Sequence, residues 1–197
     1  MNSRAFSFAL VVVISLGAGS VFAQPPAPAR ELGLSLDPAQ TEAGITLSAS
    51  LHIVEGKFLL KRGVVHYDPA TGSVSGEIAI DATSGKTGNG SRDHKMHMDV
   101  LESQRYPEIV FRPDRAEGVL SPTGASTLRI HGQFAIHGAE HEVTIPVEVT
   151  LSENHWNVKA AFAVPYEKWG MKNPSVLFLR VADTVEVQFH AAGSSNP

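Results

Sequence analysis

The sequence predicts an all-β protein built from long antiparallel strands. Apolar and polar residues alternate with a period of two over most of the chain, turn motifs separate the alternating segments, and a single stretch has helical character. Antiparallel sheets with one face toward solvent produce such alternation, whereas parallel strands joined by helices give continuous apolar runs. We therefore expect either a β-sandwich or a closed barrel.

The strands follow in chain order from this alternation. The clearest runs cover residues 74–81, 127–137, 142–151, 156–164 and 181–189, and weaker ones cover 32–36, 45–53, 57–67 and 109–114. Turn motifs rich in Pro, Gly, Asp and Ser lie at 68–72, 121–124, 137–140 and 152–154. These segments predict eight or nine strands.

One segment differs from the strands around it. Residues 91–103 contain no Gly or Pro, and Met96, Val100 and Leu101 recur at helical spacing after a polar loop at 84–90. We expect one helix here. An eight-stranded barrel has an interior that is either filled by side chains or wide enough for one small ligand.

The first 23 residues have the features of a secretory signal peptide. Arg4 precedes an apolar run at 5–16, and the small residue Ala23 closes a small-x-small cleavage motif. The run is shorter than the roughly 20 residues that span a bilayer, so we expect cleavage and no stable membrane span. The prediction is a periplasmic or secreted protein with a Pro/Ala-rich linker at 24–29, one domain at 30–192 and a disordered polar tail at 193–197.

Composition excludes several function classes. The chain of 197 residues has no cysteine, which rules out disulfides, thiolate metal sites and a cysteine nucleophile. Sixteen basic and twenty acidic residues give a net charge of −4, and loss of Arg4 with the leader makes it −5. Because no global positive field is available to neutralise phosphates, we expect no nucleic-acid partner.

Nine histidines are many for a chain of this size and raise the question of a metal site. His94 and His97 have helical spacing, and His137 and His141 flank a predicted hairpin, so each pair would supply two imidazoles. Most of the histidines, however, have the solvent-facing parity of their strands. We therefore favour surface histidines over a metal site and predict neither a metal nor a cofactor.

The segment 73–111 carries the most specific pattern in the chain. A strand ends at Asp81, and two turn motifs follow it. A charged pair, a short helix with histidine and a Tyr-Pro pair then precede the next strand. In chain order the residues of the pattern are Asp81, Ser84, Thr87, Gly88, Arg92, Asp93, His94 or His97, Tyr106, Pro107 and Phe111. Segments 56–58, 132–147 and 183–187 agree as well. The pattern resembles the YceI-like family of exported lipocalin-like proteins, in order and spacing, over about 34–191. Residues 166–171 depart from the Arg and Asp-Phe-Gly that many members have there.

This resemblance implies an eight-stranded antiparallel lipocalin-like barrel, closed by a short helix, whose apolar interior holds a polyisoprenoid or similar lipid. It implies binding rather than catalysis. The large apolar side chains that we expect to face inward, either as ligand lining or as an ordinary packed core, are these: Ile78, Ile80, Ile109, Phe111, Phe134, Ile136, Trp156, Phe162, Phe178 and Phe189.

Four polar residues are candidates for contact with a lipid head group: Arg92, Asp93, His94 and His97. The Arg92-Asp93 pair has two interpretations. Asp93 would cap the helix that it precedes, which makes the pair structural. Alternatively, the guanidinium of Arg92 would bind an anionic head group at the barrel mouth.

The function that these features predict is an exported carrier or buffer for a polyisoprenoid or quinone-like chain. Two other classes compete with it. One is a secreted hydrolase or isomerase that uses histidines and carboxylates at the barrel mouth, and the other is an interaction domain with a filled core and no ligand. The sequence does not address the oligomeric state.

Overall fold

The computed structural model describes residues 31–153 and 155–194, so the predicted signal peptide at 1–23, the predicted linker at 24–29 and residues 195–197 lie outside the described residues. The nine strands are β1 (Leu32–Ser35), β2 (Thr41–Ser48), β3 (Ile53–Asp68), β4 (Ser73–Lys86), β5 (Glu108–Glu117), β6 (Gly124–Ile136), β7 (Ala139–Ser152), β8 (His155–Val164) and β9 (Val185–Ser194). A short helix α1 (Gly90–Lys95) continues into a π-helical turn (Met96–Val100), and a 3₁₀ turn (Pro38–Gln40) separates β1 from β2.

The sheet closes on itself. Its order is β1-β3-β2-β9-β8-β7-β6-β5-β4, and β4 pairs again with β3. All pairings are antiparallel. Because β1 pairs with the second half of β3 and β2 with its first half, these two short strands occupy one position in the wall. The prediction of an eight-stranded antiparallel barrel with a short helix is confirmed.

The two ends of the barrel differ. One end, called the helical end below, carries the β2–β3 turn, the β4–β5 connection with α1, the β6–β7 turn and the long β8–β9 connection. The opposite end carries β1, the short β3–β4 and β5–β6 connections and the last residues of β9. The two long connections, β4–β5 and β8–β9, are therefore both at the helical end.

The β6–β7 hairpin shows how local sequence sets the register. His137 and Gly138 both have positive φ, at 52° and 77°, as a two-residue type I′ turn requires. Ile136 then pairs with Ala139, and the register continues without a break to Gly124 and Leu151. With this register, even-numbered residues of β6 lie opposite odd-numbered residues of β7 on the same face of the sheet. This explains why the inward-facing apolar residues are even-numbered in β6 and odd-numbered in β7.

A bulge in β3 breaks the simple alternation. The pairing with β4 shifts between Leu60 and Arg62, so inward-facing residues are even-numbered before the bulge and odd-numbered after it. As a result Phe58 and Tyr67 are both buried, whereas Leu59 and Val64 are exposed.

Several predicted boundaries differ from the structure, among them the start of the last strand, which is Val185 and not residue 181. The run 45–53 crosses a turn at 49–52, because Ala49 and Leu51 continue the apolar alternation beyond the end of β2. The predicted tail at 193–197 begins too early, since Gly193 and Ser194 still pair with Trp156 and His155 in the sheet. The helix begins at Gly90 and has a π-helical second half.

No helix in the described ranges has both the length and the hydropathy to cross a bilayer.

Candidate functional site: an apolar barrel cavity with a polar rim

A cavity of about 650 Å³ runs through the barrel from the opposite end to the helical end. At the opposite end Leu34, Leu36 and Trp156 line it, and at the helical end Arg92 and Lys95 do. Nearly all of the lining between these two groups is aliphatic or aromatic. Its volume lies in the range of pockets that hold small organic ligands. The barrel interior therefore contains a cavity, which favours a ligand-holding barrel over the predicted alternative of a filled core.

Strand parity produces this lining. On β4, Ile78 and Ile80 point into the cavity, whereas Glu77 points outward and binds Arg62. Ile78 and Ile80 are only partly buried although they face inward. They pack in part against the cluster of Leu36, Leu60 and Trp156, and the rest of their inward surface borders the cavity. Partial burial of large apolar side chains on the inner face is thus the residue-level sign of a hollow barrel.

Nine of the ten predicted inward residues line the cavity: Ile78, Ile80, Ile109, Phe111, Phe134, Ile136, Trp156, Phe162 and Phe189. The tenth, Phe178, does not. Its side chain is 92% exposed, because it lies at the tip of a turn in the β8–β9 connection and not in a strand. The assignment of Phe178 to the lining is corrected accordingly.

Further lining residues come from six of the strands. They are aliphatic or aromatic residues of the strands β1, β2, β3, β7, β8 and β9, among them Leu34, Ile45, Leu47, Tyr67, Val147, Val149, Val158, Ala160 and Val187. The clear alternation of β7, β8 and β9 indicates those that lie on these three strands. Those on β2 and β3 are obscured by the turn at 49–52 and by the bulge.

The opposite end of the cavity is closed by a packed cluster. Trp156, which is 2% exposed, packs with Leu36, Leu60 and Ala191, and the pairing of Trp156 with Gly193 brings the indole ring over the glycine backbone. A Cβ atom at position 193 would lie 2.5 Å from the indole ring, so this close approach requires glycine. The polar lining residues, in contrast, lie at the helical end.

Three segments form what we call the rim of the cavity at the helical end: the turn 49–52, the segment 87–95 with α1, and the loop 172–181. Each contributes residues to the lining, and the polar ones include His52, Thr87, Asn89, Arg92 and Lys95. Lys95 Nζ donates a hydrogen bond to the carbonyl oxygen of Pro174 at 3.1 Å, which joins α1 to the loop. An apolar cavity with a polar rim can hold an amphipathic chain in one orientation.

The predicted cap of the helix is corrected. Asn89 is the N-cap, since its side-chain oxygen accepts a hydrogen bond from the Arg92 backbone N–H at 3.1 Å. Asp93 lies inside the first turn and instead accepts hydrogen bonds from the backbone N–H and the hydroxyl of Thr87. These bonds, the hydroxyl's first, lower the pKa of Asp93, with a smaller contribution from the Arg92 charge.

Arg92 has one structural role and retains donors for a second. Its Nε donates to the Thr87 hydroxyl at 2.7 Å, and its Nη2 donates to the Thr87 carbonyl oxygen at 2.8 Å. Arg92 also lines the cavity. The pair of residues 92 and 93 therefore folds the Thr87 loop onto α1 and, at the same time, places a guanidinium at the rim.

The two candidate histidines of the helix are not equivalent. His97 is tied down on both sides of its ring, by Ser103 Oγ and by the Gly85 carbonyl oxygen, each at 2.9 Å. His94 is exposed to solvent. The structure thus brings Arg92 to the cavity, uses Asp93 and His97 in internal hydrogen bonds, and leaves His94 outside.

The other predicted histidine pair is also separated in role. His141 stacks on the ring of Trp169 with a centroid distance of 4.0 Å, and burial lowers its pKa. His137 packs against the ring of Tyr106 at 4.8 Å. Among the residues that the structure describes, no group of three His, Asp or Glu side chains is placed to hold a metal ion.

The loop 172–181 is anchored at its base. The Tyr166 hydroxyl donates to the Ala182 carbonyl oxygen at 2.6 Å, and burial raises the pKa of Tyr166 to about 12. Ser50 Oγ lies between the backbone N–H and carbonyl groups of Arg180, at 3.0 and 3.1 Å. Hydrogen bonds therefore fix both the base of the loop 172–181 and its contact with the turn 49–52.

Comparison with known proteins agrees with this architecture. The family model of the YceI-like domain matches residues 34–192, and the chain belongs to this family. No curated relative matches the sequence.

Three solved structures are similar to the barrel. BcnA from Burkholderia cenocepacia has a TM-score of 0.67 at 20% identity, with 80% of this chain and 99% of that chain covered. A polyisoprenoid-binding domain from Saccharophagus degradans, implicated in plant cell wall breakdown, has a TM-score of 0.65 at 16% identity, with 85% and 100% covered. The YceI protein of Campylobacter jejuni has a TM-score of 0.60 at 16% identity, with 75% and 88% covered. The likeness extends over the barrel as a whole.

Proposed function

We propose that the protein binds one long apolar chain of the polyisoprenoid or quinone-like class and acts as a carrier or buffer for it. The observation that carries this proposal is the cavity, which is continuous from Trp156 at the closed end to Arg92 and Lys95 at the rim. The thirteen residues of β6 give the wall a length on the order of 40 Å at about 3.4 Å per residue, less along the tilted barrel axis. An elongated cavity of this kind suits an extended chain better than a compact ligand.

The energetics of such binding follow from area. Each methylene group that leaves water contributes about 0.8 kcal/mol, so affinity would increase with chain length until the cavity is filled. The apolar lining has few groups that distinguish one chain chemistry from another. Selection of the ligand would therefore depend on chain length and on the head group that meets Arg92, Lys95 and Asn89 at the rim.

Two further observations support the proposal. The similar structure from Saccharophagus degradans is described as a polyisoprenoid-binding domain, and it shares the barrel over 85% of this chain. The leader at 1–23 has the composition of a secretory signal. We propose that the protein works in the periplasm or outside the cell, where an apolar chain needs a binder to cross the aqueous space.

Binding is favoured over catalysis because the polar groups at the rim do not form an acid–base pair. Asp93 is engaged by Thr87, both ring nitrogens of His97 have hydrogen-bond partners, and His94 faces solvent. A hydrolase or isomerase needs a base within hydrogen-bond reach of the bound substrate. If it were an enzyme of that kind, turnover would have to disappear in His94→Ala or His97→Ala.

The direct experiment is mass spectrometry of organic extracts from protein purified without detergent. We expect a co-purifying lipid with a long apolar chain. The variant Ala160→Phe, whose new ring enters the cavity, should extract without the lipid and remain folded, because a hollow interior accommodates the ring. Ala161→Phe on the outward face of the same strand is the matched control and should retain the lipid. Equal lipid content in both variants, or a clean extract from the wild type, would contradict the proposal.

A further inference from the structure

The most exposed apolar side chains at the helical end lie together at the tip of the rim. Leu177 and Phe178 are 95% and 92% exposed, and Leu51 on the adjoining turn is 83% exposed. Val176 and Leu179 pair through two backbone hydrogen bonds of 3.0 and 2.9 Å, so Leu177 and Phe178 form the apex of a tight turn. We call Leu51 and residues 176–179 the apolar tip. A packed β-barrel has no structural reason to present two large side chains to water at one turn.

The apolar tip is held firmly from below. The backbone N–H of Ser50 donates to the Arg180 carbonyl oxygen at 2.9 Å, and the backbone N–H of Ala182 donates to the Ser48 carbonyl oxygen at 2.9 Å. Asn173 Nδ2 also donates to the Val181 carbonyl oxygen at 3.3 Å. The exposure of Leu177 and Phe178 is thus a property of a braced turn.

Cationic residues outnumber acidic ones in the three rim segments, and Glu167 beside them accepts a hydrogen bond from Asn173 Nδ2 at 2.9 Å. The rim segments 49–52, 87–95 and 172–181 contain the cationic residues Arg92, Lys95, Lys172 and Arg180. The same segments contain one acidic residue, Asp93, and both the hydroxyl and the backbone N–H of Thr87 donate to its carboxylate. This local excess of positive charge contrasts with the net charge of −4 of the whole chain.

The apolar tip is continuous with the cavity. Val176, Leu179 and His52 line both the cavity and the shallow groove beneath Leu177 and Phe178. An apolar chain that leaves the barrel at the rim would therefore meet the tip without crossing a polar surface. Exposed apolar residues surrounded by cations are the combination that partitions into the surface of an anionic bilayer.

We infer that the apolar tip docks the helical end of the barrel onto a bilayer containing anionic lipids, with Leu177 and Phe178 entering the headgroup boundary and Arg180 and Lys172 contacting lipid phosphates. Docking in this orientation turns the opening of the cavity toward the membrane. The inference concerns the surface of the rim and does not depend on what the cavity holds.

Sedimentation with vesicles tests the docking. Protein produced from the full chain is mixed with vesicles of phosphatidylethanolamine, with or without phosphatidylglycerol, and the bound fraction is measured. We expect binding that requires phosphatidylglycerol and weakens with salt. Leu177→Ser combined with Phe178→Ser should weaken the partition at least about tenfold, since two large side chains no longer leave water.

Matched controls separate this effect from general surface hydrophobicity. Val119 is 86% exposed at the opposite end of the barrel, so Val119→Ser should leave vesicle binding unchanged. For charge, Lys172→Gln and Arg180→Gln should each weaken binding by about fivefold, whereas Arg129→Gln and Lys159→Gln on the barrel wall should not. Vesicle binding that is equal in the double serine variant and in the wild type overturns the inference.

Fluorescence gives a second, structural readout. Phe178→Trp should shift its emission to shorter wavelength on phosphatidylglycerol vesicles and be quenched by brominated lipids, whereas Val119→Trp should do neither. Analytical ultracentrifugation tests whether a second copy of the chain, rather than a bilayer, covers the apolar tip. A wild-type dimer that the double serine variant converts to a monomer, without vesicle binding by either, would show that the tip is an interface between two copies and overturn the inference.

The outcomes of this experiment and of the lipid extraction are distinguishable. A long-chain lipid in the extract together with no vesicle binding overturns the docking alone. A clean extract together with binding that requires phosphatidylglycerol and Phe178 overturns the proposed function alone.

Discussion

The Nε2 atom of His97 lies 2.9 Å from the carbonyl oxygen of Gly85, and this contact joins the π-helical turn to the last residues of β4. Because a carbonyl oxygen can only accept, Nε2 carries the proton and Nδ1 accepts from the Ser103 hydroxyl, 2.9 Å away. Ser103 is buried, and its backbone N–H also bonds the His97 carbonyl oxygen. The imidazole of His97 thus fixes how α1 and its π-helical continuation lie over the barrel.

Replacement of His97 should loosen this attachment. In His97→Ala the Gly85 carbonyl and the buried Ser103 hydroxyl both lose a partner, which should lower the free energy of unfolding by about 1–3 kcal/mol. Urea denaturation measures the loss, and hydrogen exchange should show faster exchange in α1 than in the strands. His94→Ala on the exposed face of the same helix is the control and should stay within about 0.5 kcal/mol of the wild type. Equal losses in the two variants would contradict the assigned role.

The role of Arg92 at the rim can be separated from its bonds to Thr87. Arg92→Ala should weaken binding of a polyprenyl diphosphate by about tenfold or more relative to the polyprenol of equal length, because a charged hydrogen bond is lost for the first ligand only. Quenching of tryptophan fluorescence by each ligand measures the affinities. Arg129→Ala, on the outer wall, should change neither affinity. An equal loss for both ligands would leave Arg92 with its structural role alone.

His131 makes stability depend on pH. Its ring nitrogens contact Glu142 and Asp114 at 2.8 and 2.7 Å, and these hydrogen bonds, that of Glu142 first, raise the pKa of His131. A raised pKa in the folded state stabilises the protein below the unfolded pKa of about 6.5, and this contribution is lost as the pH rises through the folded value.

The variant His131→Gln tests this dependence. Its deficit in unfolding free energy against the wild type should be greatest between about pH 5 and 6, where the carboxylates remain charged, and should shrink toward about pH 9. Urea denaturation at several pH values gives the profile. The exposed variant His155→Gln serves as the control and should show no such profile. A deficit for His131→Gln that is constant across this range would show that the ion pairs do not contribute.

The alternation of apolar and polar residues predicts most of the barrel strands, because alternate residues of a strand face opposite sides of the sheet. From Gly124 to Leu151 the register of the hairpin is unbroken, and the predicted inward residues Phe134 and Ile136 both line the cavity. The rule fails where the backbone departs from it. The bulge at Lys61 and Arg62 reverses the inward parity of β3, and neither residue type announces a bulge.

The misplacement of Phe178 has a different cause. Residues 176–179 are four consecutive apolar residues, and such a run in a sequence is typical of a buried strand. Only the structure shows that they form an exposed turn at the rim. The cavity is also invisible in the sequence, since Ile78 or Phe162 would be apolar whether the barrel interior were packed or hollow. Alternation indicates which side chains face inward, and it carries no information about the space between them.

The β6–β7 turn provides a test of how strictly one glycine is required. Gly138 has φ of 77°, and a Cβ atom added there would lie 2.5 Å from the ring of Tyr106. Gly138→Ala should therefore lower the free energy of unfolding by about 1–3 kcal/mol, through backbone strain and displacement of the Tyr106 ring. Gly90→Ala is the matched control, because its Cβ would meet no atom within 4 Å and its backbone is helical. That variant should be neutral or gain about 0.5–1 kcal/mol, since alanine loses less backbone entropy than glycine in a helix. The midpoints of urea denaturation at unchanged slope measure both effects, and a stability for Gly138→Ala at or above that of Gly90→Ala would contradict the assigned turn geometry.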